Sequence, residues 1–215
     1  MEEHNTQSGH KPSLPPAHAN LTDLTFTQIP LGIVAQLLVC ILVFIALSNE
    51  INDTHFLFWL TYMGSVSALW LCLSIGYRIK KSLLTPSLWL LFFAIFSFLS
   101  GCGWGILGYG LIPPDSFSAQ SFIAMILSGT TAGALPFLAP FFYLYLLFTA
   151  PALLPLILWF FSNPSTFLFW ALSMLVYFVV VITSAYYINR FLNNFLMLQK
   201  QCVNLDQIKK GSCKF

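Results

Sequence analysis

Residues 101–110 run Gly101-Cys102-Gly103-Trp104-Gly105-Ile106-Leu107-Gly108-Tyr109-Gly110. Gly103, Gly105 and Gly108 fall into the spacing G-x-G-x-x-G, the fingerprint of a dinucleotide-binding turn. That turn needs a strand before it, a helix after it and an acidic residue about 20 positions on. Here the apolar stretch Ser87–Ser100 continues into the glycines without a turn signal. The residues that follow, Leu111-Ile112-Pro113-Pro114, end a helix rather than start one. From Phe117 to Pro164 there is no acid. The match is accidental, and the glycines read as the smooth surface of an apolar helix.

Working outward, the rest of the chain says the same. Charged residues make up 7% of the 215 and hydrophobic ones 58%, against about 25% charged in a soluble domain. Four stretches carry no Asp, Glu, Lys or Arg: Pro30–Ser48, Thr54–Tyr77, Ser82–Pro114 and Ser116–Asn189. Runs of that length are membrane spans. They do not alternate with a period of two, which excludes an outer-membrane barrel. The expected class is all-α: a polytopic membrane bundle of six transmembrane helices.

The spans are placed at about 30–48, 55–77, 86–112, 118–135, 141–161 and 165–189. Pro30 suits a helix start, and Asn52, Asp53 and Thr54 offer caps for the second helix. Pro113-Pro114 stops the third. The uncharged stretch Phe122–Phe161 is about twice the length of one crossing. Pro136 and Pro140 supply its break, with a re-entrant pair of half-helices as the alternative. Pro151 and Pro155 then fall inside the fifth helix and should kink it. Residues 1–29 are expected to be a flexible tail, since Met1–Asn20 is polar and carries Pro12, Pro15 and Pro16. His4, His10 and His18 are irregularly spaced there and read as solvated side chains rather than ligands.

Orientation follows from the basic residues. Arg78, Lys80 and Lys81 share one side with Lys11, Arg190, Lys200, Lys209, Lys210 and Lys214, provided there are six crossings. Glu50, Asp53 and Asp115 fall on the other. Both termini are therefore expected in the cytoplasm, with 190–215 as a cytoplasmic amphipathic helix and tail. Trp59, Trp159 and Trp170 near outer ends and Trp89 near an inner end suggest interfacial belts.

Candidate chemistry is sparse. Within the spans the only titratable acid or base is His55, at the outer lip; the other polar groups include Gln36, Gln120 and several Ser and Thr. Ion-coupled transporters and proton relays place ionisable groups at membrane depth, so neither a driven pump nor an intramembrane hydrolase is expected. A passive pocket for a small molecule stays open. Glu50, Asp53, His55 and Asp115 could converge as a divalent-cation or pH-sensing site; polar loops and caps at the headgroups are the favoured reading. The five cysteines fit neither a disulfide framework nor a zinc site. No metal, cofactor, catalytic residue or nucleic-acid partner is expected.

Small residues recur four apart: Ser97, Gly101 and Gly105 on the third helix, Gly129 and Gly133 on the fourth. Such stripes let backbones approach closely, so the third and fourth helices are expected to pack along them; lining a small cavity is the alternative. Past the last span, Phe191, Phe195, Leu198, Cys202 and Leu205 follow spacings of four and three, the pattern of a coiled-coil seam. An interfacial anchor helix is the alternative there.

The order of these features resembles the N-terminal multi-helix membrane sensor module of bacterial histidine kinases and diguanylate cyclases. The resemblance runs through residues 101–156: the Gly-Trp-Gly pair, Pro-Pro-Asp in the outer loop, Ser-Gly-Thr-Thr-Ala-Gly-Ala, and the Pro151/Leu154-Pro155 end. The Tyr77-Arg78 and Asn189-Arg190 exits fit as well. It implies a non-catalytic module in the bacterial inner membrane, whose last helix feeds a signalling helix. No phosphoacceptor region or cyclase motif fits after Arg190, so output is expected through a homodimer of the exit helices or a separate signalling enzyme. A small transporter or channel component, and a membrane protein delivered into a host cell, are the alternative functions.

Overall fold

The computed structural model describes residues 17–48, 50–51, 53–80 and 85–212. Regular structure among them is helical throughout: α1 (Ala17–Leu47), α2 (Asp53–Lys80), α3 (Pro86–Tyr109), α4 (Phe117–Leu138), α5 (Phe142–Ser162) and α6 (Pro164–Ser212). Each of the six is long and apolar enough to cross a membrane. The chain is thus an all-α polytopic membrane protein.

Helix ends differ from expectation where backbone chemistry overrides hydropathy. α1 begins at Ala17, so Pro30 lies inside it and residues 17–29 are helical. A proline in a helix interior removes one backbone bond, a loss that membrane helices tolerate. α3 stops at Tyr109, where the Gly110 amide closes on the Ile106 carbonyl at 2.8 Å. Pro113 keeps the residue before it out of the helical region, which is why the helix does not reach Ile112. Ser116 caps α4, its side chain accepting from the Ala119 amide at 3.4 Å. Gln120 ties the preceding loop down by donating to the carbonyls of Pro113 (2.8 Å) and Pro114 (2.9 Å).

The doubtful stretch between the fourth and fifth spans resolves into two full crossings. α4 continues through Pro136, and a tight turn at Ala139-Pro140-Phe141 leads into α5. The turn is closed by the Ala139 amide on Leu135 (2.9 Å) and the Phe141 amide on Leu138 (3.0 Å).

α5 is the centre of the bundle: half of its membrane window is buried inside the protein, against 17% for α6 and 22% for α1. Its main partner is α3, which runs parallel to it, with α4 making the return between them. α2 covers the other face of α3, α6 lies on α5, and α1 bridges α2 and α4. The outward faces carry exposed apolar side chains such as Leu38, Phe58, Phe169 and Val176, which hydrocarbon solvates as well as a protein core would.

The glycines of 101–110 explain why α3 can sit so deep. A Cβ on Gly101 would collide with the Phe148 carbonyl and stand 2.7 Å from Pro151 Cγ. One on Gly105 would collide with the Pro151 carbonyl and stand 3.1 Å from Pro155 Cγ. One on Gly108 would meet Leu156 Cβ at 3.1 Å. Pro155 has no N–H for the carbonyl four residues earlier, that of Pro151; this is the carbonyl that lies on Gly105. Gly103 faces the opposite way, to Tyr62 and Met63 of α2. Trp59 Nε1 donates to the Gly103 carbonyl at 2.7 Å and the Tyr62 hydroxyl to the Leu99 carbonyl at 2.8 Å.

Two expectations are therefore corrected. The glycine stripe of α3 packs on the prolines of α5, not on Gly129 and Gly133 of α4, because the proline rings and the Phe148 and Pro151 carbonyls need a surface without Cβ atoms. The tryptophans do not all form belts: Trp59 and Trp89 are 3% and 6% exposed. Trp59 turns inward onto Trp104, centroid to centroid 5.8 Å, and Trp89 onto Tyr77 at 5.3 Å.

Candidate functional site

Gly129 and Gly133 do not pack on α3 and are left facing space. Nothing stands within 4 Å of a Cβ built on either. Both line a recess of about 300 Å³, walled by Gly32, Ile33 and Gln36 of α1 and by Thr130 of α4. Trp70 of α2, Ser97 and Ser100 of α3, and Phe148 of α5 form its back. The lining residues that stay exposed include Ala35 on α1 and Met125, Gly129 and Gly133 on α4. The recess therefore opens sideways, on the flank shared by α1 and α4, toward hydrocarbon.

Its polar atoms are few and mostly engaged. Gln36 Nε2 donates to Ser67 Oγ at 3.0 Å, Trp70 Nε1 to Ser100 Oγ at 2.9 Å, and Thr130 Oγ1 to the Ile126 carbonyl at 2.7 Å. Ser97 differs. It is 1% exposed, and its Oγ has no hydrogen-bond partner. No titratable side chain lines the recess among the described residues. A hydroxyl without a neighbouring base is a weak nucleophile, and no such base is among the described residues that line the recess.

The opposite face of α4 is fastened to α6. The Tyr177 hydroxyl donates to the Ser128 carbonyl and lies 3.1 Å from Thr131 Oγ1. Tyr145 of α5 donates to the Thr131 carbonyl at 3.1 Å. At the basic end, Asn189 Nδ2 donates to the Pro140 carbonyl in the α4–α5 turn at 2.6 Å. One turn of α4 thus holds both the recess wall (Gly129, Thr130) and the α6 attachment (Ser128, Thr131).

Of the other sequence-derived candidates, Glu50, His55 and Asp115 are exposed at one end of the bundle, and the Asp53 side chain lies outside the described residues. Among the described residues no three His, Cys, Asp or Glu side chains gather at metal-holding range. Phe191, Phe195 and Leu198 are 69%, 56% and 61% exposed on α6. The side chains of Cys202 and Leu205 lie outside the described residues, though their backbone is helical. Tyr145 and Tyr177 were not singled out by sequence, and Asn189 only as part of the exit of the last span; a tyrosine or asparagine in an apolar run gives no sign of the helix it will bond. No protein-family model, curated protein or solved structure matches the chain.

Proposed function

We propose that this chain is a non-catalytic sensor or anchor module of the bacterial inner membrane, and that its output passes through α6 to a second copy of itself. The observation that carries this is the length of α6: Pro164–Ser212 is one unbroken helix of 49 residues. At 1.5 Å per residue it is about 74 Å long, more than twice the roughly 30 Å hydrocarbon core. The part beyond the bundle presents Phe191, Phe195 and Leu198 on one side, all exposed. Apolar seams of that spacing are buried by pairing.

The bundle end of α6 supports the same reading. Tyr177 and Asn189 attach it to α4 and to the α4–α5 turn, so a shift of α4 would move the helix that leaves the membrane. The resemblance to sensor modules points the same way, since in them the last membrane helix carries the signal. Disulfide crosslinking at Cys202 in native membranes tests the pairing. A dimer band is expected; no crosslink at Cys202, nor at cysteines introduced between Asn194 and Leu205, would sink it.

A further inference from the structure

We propose that the recess between α1 and α4 binds one small, neutral lipophile with a single carbonyl or hydroxyl group, which Ser97 Oγ recognises. The site stands independently of how α6 signals.

Three observations fix the ligand class. A space of about 300 Å³ accommodates roughly ten non-hydrogen atoms at about 30 Å³ each. The walls are apolar and uncharged among the described residues, so a charged ligand would be desolvated without a partner. The one buried polar atom there without a hydrogen bond is Ser97 Oγ. Helical serines in this protein usually bond back to the carbonyl four residues before, as Ser65, Ser67, Ser121 and Ser128 do. Ser97 does not, which leaves one donor and its lone pairs for a guest.

Depth excludes a phospholipid headgroup as that guest. Ser97 lies near the middle of α3 (Pro86–Tyr109), about 17 Å from either end at 1.5 Å per residue, so it is close to the bilayer midplane. A phosphate cannot reach it, but a ketone or alcohol partitioned into hydrocarbon can. Entry is from the side, past Gly129 and Gly133, whose missing side chains leave the gap.

The probe is a diazirine-bearing decan-2-one, applied to the full chain in lipid nanodiscs, with decan-2-one and n-decane as competitors. Labelling of α1 and α4 peptides is expected, displaced by decan-2-one about five- to tenfold more effectively than by n-decane, the worth of one hydrogen bond. Ser97→Ala should erase that preference while melting no lower than wild type, since it removes an unpaired buried hydroxyl. Gly133→Leu and Gly129→Leu, built into open space, should abolish labelling while the protein stays folded. Equal displacement by n-decane would mean an acyl chain merely fills the recess, and overturns the proposal. Absence of labelling, or labelling that survives both leucine variants, overturns it as well.

Discussion

At the scale of single residues, glycines of the same spacing do opposite jobs. Gly105 sits where any side chain would strike the Pro151 carbonyl, whereas Gly133 faces space. Gly105→Ala should therefore lower stability by about 1–3 kcal/mol through overpacking, despite the better helix propensity of alanine. Gly133→Ala should be neutral or raise it by up to about 1 kcal/mol. Thermal unfolding in detergent measures both; equal effects would mean the α3–α5 seam is misplaced. Trp59→Phe removes the donor to the Gly103 carbonyl and should cost about 1 kcal/mol, since that carbonyl keeps helix bonding. The sequence announced that Gly101, Gly105, Gly129 and Gly133 were special. It did not say which helix each would meet, because a missing side chain encodes closeness and not a partner. The clue lay in Pro151 and Pro155: two rings on one face, and the Pro151 carbonyl that Pro155 frees, lie against Gly101 and Gly105.

At the scale of elements, the helices were legible because a charge-free run of about 20 residues in a bilayer has few structures available to it. Their ends were less so. Ser116 as a cap and the early stop before Pro113 are backbone effects that hydropathy does not register. The recess was visible only as one of two options for the small residues of α4, since a cavity is a property of several helices at once. α6 carries the sharpest prediction here. Asn194→Pro interrupts the helix beyond its attachment at Asn189, at a cost of about 3 kcal/mol or more locally. Crosslinking at Cys202 should fall several-fold while the melting temperature of the bundle holds. Unchanged crosslinking would show that the exit segment does not act as one rod. Tyr177→Phe removes the bond to the Ser128 carbonyl and should cost about 1–2 kcal/mol. Its signature beyond stability would be altered crosslinking along α6.

At the scale of the whole molecule, the bundle has an acidic end, with Glu50 and Asp115, and a basic one, with Arg78 and Arg190. Reporter fusions read that asymmetry directly. Alkaline phosphatase should be active after Asp53 and Asp115 and inactive after Arg78; the reverse pattern would invert the orientation proposed from the basic residues. Parallel α3 and α5 at the centre make a rigid unit, while α1 and α6 lie at the periphery with few buried residues. The peripheral helices are the ones that border the recess and carry the exit segment, so a sensor's movable parts would lie where the packing is lightest. The measurement that tests the account most directly is the mass of the detergent-solubilised full chain beside that of a chain ending at Arg190. The full chain should weigh about twice its 24.2 kDa, and the shortened one should be a monomer with an unchanged melting temperature. A monomeric full chain, or a shortened chain that stays dimeric, would contradict the proposal that α6 is the route by which this protein acts.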